Sequence, residues 1–162
     1  MEVLPVSIYQ PQDLQLMEAA LAQARAGQAE GEVPVGAVLA VDNQIIARDH
    51  NRPIGLCDPT AHAEMLVLRA AAAVLKTYRL TGAVLCVTLE PCAMCMGAMV
   101  NARVARLVFG ARDPKAGAAG SVYDIGRDGR LNHRIEICPG LEQERCARLL
   151  QQFFARRRGP IA

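Results

Sequence analysis

Four side chains in two short stretches have types and spacings suited to metal chemistry. His62 and Glu64 stand in "DPTAHAEMLVLRAAAAVL", and Cys92 and Cys95 in "EPCAMC". If Pro91 opens a helix, Cys92 and Cys95, at i and i+3, share one face of its first turn. The partial positive charge at a helix N-terminus favours thiolate, the form that binds zinc. Two thiolates and one imidazole supply three protein ligands and leave a fourth position open, as in a catalytic zinc site. Of the three histidines, His62 is the best third ligand. His50 ends a predicted strand and His133 lies in a predicted loop, where each reads more readily as a surface residue. A dithiol redox pair at a strand-to-helix junction is the competing reading of Cys92 and Cys95.

On the side of a helix, residues two apart point about 200° away from each other. At the open end of a helix they can serve one site. With Thr60 or Ala61 as the cap, after a turn at Asp58-Pro59, His62 and Glu64 fall in the first turn. Taken singly, His62 reads as a partly buried residue at a helix cap and Glu64 as a solvated carboxylate. Joined to Pro91-Cys92-x-x-Cys95 about thirty residues later, they complete H-x-E…P-C-x-x-C. That pattern is known from zinc deaminases, and its chemistry comes with it. Zinc brings the pKa of a bound water to about 7. A ring nitrogen must gain a proton as water adds to the C–N carbon, and the departing amine must gain one later. One carboxylate beside the water can move both, so Glu64 is expected not to be a ligand.

The elements that must position these groups follow from periodicity. Leu14, Met17, Leu21 and Ala24 predict a helix over Asp13 to Ala26. Strands are expected at about Val35–Val41 and Gln44–Asp49, joined by Asp42-Asn43. A helix should run from Asp58–Thr60 to about Lys76, and another from Pro91 to about Ala102. "GAVLCVTLEP" is almost wholly apolar, as suits a central strand covered on both faces. "RVARLVFG" and "RIEIC" are further strands. Between them "ARDPKAGAAGSVYDIGRDGRLNH" reads as a long loop with one helical turn near Val122. Leu141 to Phe154 is a closing helix, followed by the basic tail "ARRRGP". Strands alternating with helices imply a layered α/β fold.

The 162 residues suggest one domain over 1–162, and 52% hydrophobic content is enough for a substantial core. A formal charge of +2 excludes a strongly basic nucleic-acid scaffold but not a local basic patch. "MEVLPVSIYQPQ" lacks the pattern of a signal peptide, and no apolar run approaches the ~18 residues of a membrane span. The expectation is a cytoplasmic protein, whose six cysteines are metal ligands or buried thiols rather than disulfides.

Beyond the zinc pattern, "EVPVGAVL", "NRPIG", "DPTAHAE", "YRL", "VTLEPCAMC", "FGARDPKAGAAGS", "NHR" and "FFARRR" carry a wider resemblance. From about Glu32 to Arg158 the chain resembles the bacterial tRNA-specific adenosine deaminases of the cytidine-deaminase-like superfamily. The resemblance implies a three-layer α-β-α fold around a five-stranded mixed sheet, and a homodimer. It implies deamination of adenosine to inosine at the wobble position of a tRNA anticodon stem-loop. By it, His62, Cys92 and Cys95 hold one Zn²⁺ per chain and Glu64 moves the protons. Asn51 contacts the substrate base or ribose, and Arg112, Asp113 and Lys115 line the RNA approach. Without the resemblance, Asn51 reads equally well as a turn residue, and the 112–115 segment as an ordinary charged loop. Arg127, Arg130, Arg134 and Arg156 to Arg158 are expected to join Arg112 and Lys115 in one RNA-facing patch, partly across a dimer; a frayed, solvated helix end is the rival reading of the tail. Cys57 departs from the more polar residue expected there. Two rival functions stay open: a deaminase of a free base or nucleoside, and an RNA-binding module whose structural zinc takes Cys57 or Cys86 as fourth ligand.

Overall fold

The computed structural model describes residues 7–159. The signal-peptide reading falls partly on residues 1–6, and the end of "ARRRGP" on residue 160, outside the described residues. The elements in order are α1 (Asp13–Ala29), β1 (Gly36–Val41), β2 (Gln44–His50), α2 (Pro53–Leu56), α3 (Ala63–Leu75), β3 (Val84–Leu89), α4 (Ala93–Ala102), β4 (Arg106–Ala111), a 3₁₀ turn (Ile125–Arg127), β5 (Glu136–Pro139) and α5 (Gln143–Arg158).

The strands form one mixed sheet in the order β2-β1-β3-β4-β5. β1 runs antiparallel to β2 and β3, while β3, β4 and β5 are parallel. Alternation along each strand sorts the core into two layers. Ala37, Leu39, Leu85, Val87, Leu107 and Phe109 face α3 and α4, where Val67, Leu68, Met96 and Met99 meet them. Val38, Ala40, Cys86 and Val108 face the other way, onto Leu16, Met17, Ala20 and Leu21 of α1 and Cys146 of α5. With helices on both faces, the central strands read as unbroken apolar runs. The three-layer α-β-α arrangement with a five-stranded mixed sheet is the one expected.

Two contacts fix α1 on the sheet. A Cβ at Gly36 would lie 2.0 Å from the Ala20 carbonyl oxygen, so only glycine lets the strand approach that helix. Arg106 of β4, 3% exposed, reaches Asp13 with two parallel bonds, Nη1–Oδ1 at 2.7 Å and Nη2–Oδ2 at 2.5 Å.

Local features match expectation in one place and differ from it in several others. Asp42 and Asn43 both have positive φ, 49° and 62°, the geometry of the two-residue hairpin turn anticipated there. Helix α3 starts at Ala63, not at Asp58–Thr60. The Asp58 carboxylate accepts both the Thr60 N–H and its hydroxyl at 2.8 Å, which closes a turn ahead of the helix. The short helix α2 was not expected. The Glu32 carboxylate makes it, accepting the N–H groups of Ile54 and Gly55 at 3.3 and 2.7 Å. The one helical turn among the described residues of the long loop is at Ile125–Arg127, just past Val122. Helix α5 runs from Gln143 through Arg158 rather than from Leu141 to Phe154, so the basic tail is part of it. There Arg157 donates to the Gly31 carbonyl at 3.0 Å and lies 4.7 Å above the Phe153 ring.

Candidate active site

The C-terminal ends of β2, β3 and β4 and the start of β1 meet at one edge of the sheet, where His50 pairs with Gly36 and Leu89 with Ala111. Both ligand-bearing segments leave that edge as strand-to-helix junctions. His62 and Cys92 are the N-cap residues of α3 and α4, in extended conformation with ψ of 150° and 176°. Neither side chain caps its own helix, so both are left for a shared point. This answers the spacing problem differently from expectation. His62 is itself the cap, not a first-turn residue after Thr60 or Ala61. Because it is extended, the 200° rule does not apply to it, and Glu64 follows as the second helical residue.

His62, Cys92 and Cys95 are, among the described residues, the one set of three His, Cys, Asp or Glu groups whose ligand atoms all lie within 4.8 Å of each other. His62 Nδ1 is 3.6 Å from Cys92 Sγ and 3.5 Å from Cys95 Sγ. A tetrahedral zinc with ordinary Zn–N and Zn–S bonds separates its nitrogen and sulfur ligands by about 3.6 Å. The donor set and its spacing therefore fit zinc. Cys57 is exposed at the end of α2 and Cys86 is buried within β3, so neither supplies a fourth ligand. His50 is not a surface residue: it is 1% exposed, with Nδ1 2.8 Å from the Asn51 carbonyl oxygen and Nε2 3.3 Å from Glu30. His133 places Nε2 2.7 Å from the Val104 carbonyl oxygen.

Protonation follows from this crowding. The Cys95 thiol and the His62 ring both hydrogen-bond the Cys92 sulfur, and despite partial burial they push Cys92 down to about 3. The same contact with Cys92, together with burial, raises Cys95. His62 is raised as well, chiefly by its bond to Cys92. Without metal, one thiolate thus holds two protons on its neighbours. Glu64 is 4% exposed, and burial pushes it up to about 7, the range of a group that takes and returns protons near neutral pH.

Around this centre stand the other expected residues. The Asn51 side-chain oxygen accepts the Ala63 N–H at 2.8 Å, supplying the cap that His62 does not. Asp113 is a turn residue whose Oδ1 accepts the N–H groups of Lys115 and Ala116 at 3.0 and 3.2 Å. Lys115 lines a groove of about 540 Å³ against α5, with Phe154, Arg157 and Arg158. Arg112 and Asp113 line its neighbour of about 370 Å³. Arg156 lines neither. Arg127 and Arg130 are engaged with Asp124 and Asp128, at 3.7 and 2.6 Å. Sequence reasoning missed Glu32, which shapes α2 beside Asn51, and Glu90, which binds the 112–121 loop. The one signal for Glu90 was a charged residue closing an otherwise apolar strand.

A model of the cytidine and deoxycytidylate deaminase zinc-binding region matches residues 10–111. The tRNA-specific adenosine deaminase of Bacillus subtilis is 46% identical over 143 residues, spanning 88% of this chain and 89% of that protein. A structure solved in a study of A-to-I editing by tRNA:A34 deaminases at the wobble position of transfer RNA superposes with a TM-score of 0.81. It is 45% identical and covers 84% of this chain and 99% of that one. Guanine deaminase from Nitrosomonas europaea superposes at 0.76 with 26% identity, covering 94% and 89%.

Proposed function

Since the chain belongs to the cytidine and deoxycytidylate deaminase family of zinc-binding proteins, we propose that it converts adenosine to inosine at the wobble position of a tRNA anticodon. The observation that carries this reading is the pair of helix N-caps, His62 and Cys92, which meet with Cys95 at zinc spacing beside the buried Glu64. His62, Cys92 and Cys95 would hold one Zn²⁺ per chain, which would supply a water acidified toward neutral pH.

The protein's own groups do the rest. Glu64 Oε would take one proton from the attacking water and give it to the purine ring nitrogen as the C–N carbon gains its hydroxyl; it would then take that hydroxyl's proton and deliver it to the amine as the C–N bond breaks. Its elevated pKa, about 7, suits both directions. Asn51 is held by its bond to Ala63 N–H, and its amide N–H groups face no partner among the described residues; they orient the base or ribose. A site between helix ends cannot reach an amine stacked in a duplex, so the substrate base is unpaired and turned out of the loop. Arg112, Asp113 and Lys115 line the RNA approach, with Arg157 and Arg158 across the groove. The protein acts as a homodimer in the cytoplasm. Among the described residues no helix is long and apolar enough to cross a membrane.

Support over the free-base reading is the higher identity to the tRNA enzymes, 46% against 26% for the guanine deaminase. Purified protein incubated with total tRNA should create inosine at the first anticodon position, located by sequencing, and should leave guanine and free adenosine almost untouched. Turnover of guanine with no inosine in tRNA would reverse the assignment.

A further inference from the structure

Glu90 takes no part in the metal set or the proton transfers, yet it is only 2% exposed. Its Oε2 accepts the Asp113 N–H at 2.9 Å and the Ser121 hydroxyl at 2.5 Å. Its Oε1 accepts the N–H groups of Ala119 at 3.2 Å and Ser121 at 3.0 Å. All four donors are neutral, and all come from one loop. Taking a carboxylate out of water is costly unless its lone pairs are this fully satisfied.

The loop closes tightly round the segment that carries Glu90. Glu90 N–H donates to the Ala111 carbonyl, and Ala118 N–H to the Pro91 carbonyl, each at 2.8 Å. Gly117 lies against the carboxylate so closely that a Cβ would sit 2.3 Å from Oε2. A second link follows. Asp113, whose N–H Glu90 holds, uses its own Oδ1 to hold the N–H of Lys115. Two carboxylates in series thus determine where Lys115 stands, and the first is two residues from Cys92.

We propose that Glu90 is a positioning residue for RNA recognition: its carboxylate sets the fold of the 112–121 loop and so fixes Arg112 and Lys115 relative to the metal-binding end of α4. This rests on the reading of that loop as RNA-facing. A loop already in its binding form adds no ordering cost on association. A loop in that form only part of the time weakens apparent affinity by the inverse of that fraction.

Glu90→Gln is the sharp variant, because an amide nitrogen cannot accept a hydrogen bond. At the Oε1 position it would oppose two N–H groups. At the Oε2 position the Ser121 hydroxyl can turn to accept from it, and only the Asp113 N–H loses its partner. The expected protein has wild-type zinc content, faster amide exchange at Asp113 and unchanged exchange at Ala119. KM for an anticodon stem-loop rises roughly tenfold, for a loop correctly folded about a tenth of the time, with kcat within about twofold. Ser121→Ala removes one donor and should shift KM the same way by less; it carries the test if Glu90→Gln fails to fold. Lys115→Ala probes the underlying reading. If Lys115→Ala weakens stem-loop binding while neither loop variant alters KM, the positioning role is wrong. A fall in kcat at constant KM would also overturn it. If Lys115→Ala binds the stem-loop like wild type, the RNA-facing reading fails instead.

Discussion

The metal-binding end and the 112–121 loop lie at the same edge of the sheet but are organised in opposite ways. The metal set comes from two helix N-caps and one further residue, and the ligands hydrogen-bond each other. The loop has little regular structure, and its backbone donors converge on one carboxylate outside it. In the first region the residues whose types suggest chemistry are the ones the fold brings together. In the second, the residues that suggest function are exposed tips, and the group that shapes them is buried and distant in sequence. Under the proposed function, a reactive centre and its substrate contacts organised so differently should fail separately when mutated.

The largest effects should come from the metal-binding end. Cys92→Ala should lose both zinc and activity. Glu64→Gln should keep its zinc and lose about 10²–10⁴-fold in kcat, the usual worth of general acid–base catalysis. Metal analysis beside kinetics checks both, and zinc loss from Glu64→Gln would break the separation of roles. A second effect concerns pH. His62 and Cys95 are both raised in the metal-free protein, so each carries a proton at mildly acidic pH. Zinc must displace both, so affinity should fall as pH falls, by roughly a hundredfold per unit while two protons are released. Above the His62 pKa only the Cys95 proton remains, and the slope should halve. Competition with a chelator across pH 5 to about 8.5 measures this; a pH-independent affinity would contradict the protonation pattern.

Changes on the loop side should be milder and should spare the metal. Neutralising Lys115 or Arg158 should weaken stem-loop binding and flatten the log–log salt slope by roughly 0.7 to 0.9 per lost phosphate contact. Arg156→Ala, outside the groove, should change the slope less, and titrations at several salt concentrations separate the two. Smallest is the cap. Asn51→Ala should cost about 1 kcal/mol of stability through α3, seen as a drop of a few degrees in Tm, besides any loss in KM.

What could be read from the sequence divides along the same line. The grouping of His62, Cys92 and Cys95, with Glu64 buried beside them, was legible, because H-x-E and P-C-x-x-C are local patterns with a chemical meaning. The five strands were legible too, because alternation and apolar runs record burial directly. The start of α3 was misplaced because the Asp58 side chain captures Thr60, a choice that residue types leave open. Helix α2 depends on Glu32 and the loop on Glu90, both more than twenty residues from the groups they hold. His50 looked like a surface residue because nothing nearby in sequence foretold Glu30 as its neighbour.

The hairpin turn at Asp42-Asn43 has a practical consequence. β1 is antiparallel to β3, so this turn lies at the opposite edge of the sheet from His62 and the groove. A six-residue strand separates the two edges by about 20 Å. Both turn residues are exposed and already adopt a conformation that tolerates glycine-rich sequence. A fluorophore, an affinity tag or a surface tether attached there would leave the RNA side open. The enzyme could then be immobilised in one orientation and watched as it binds and releases successive stem-loops.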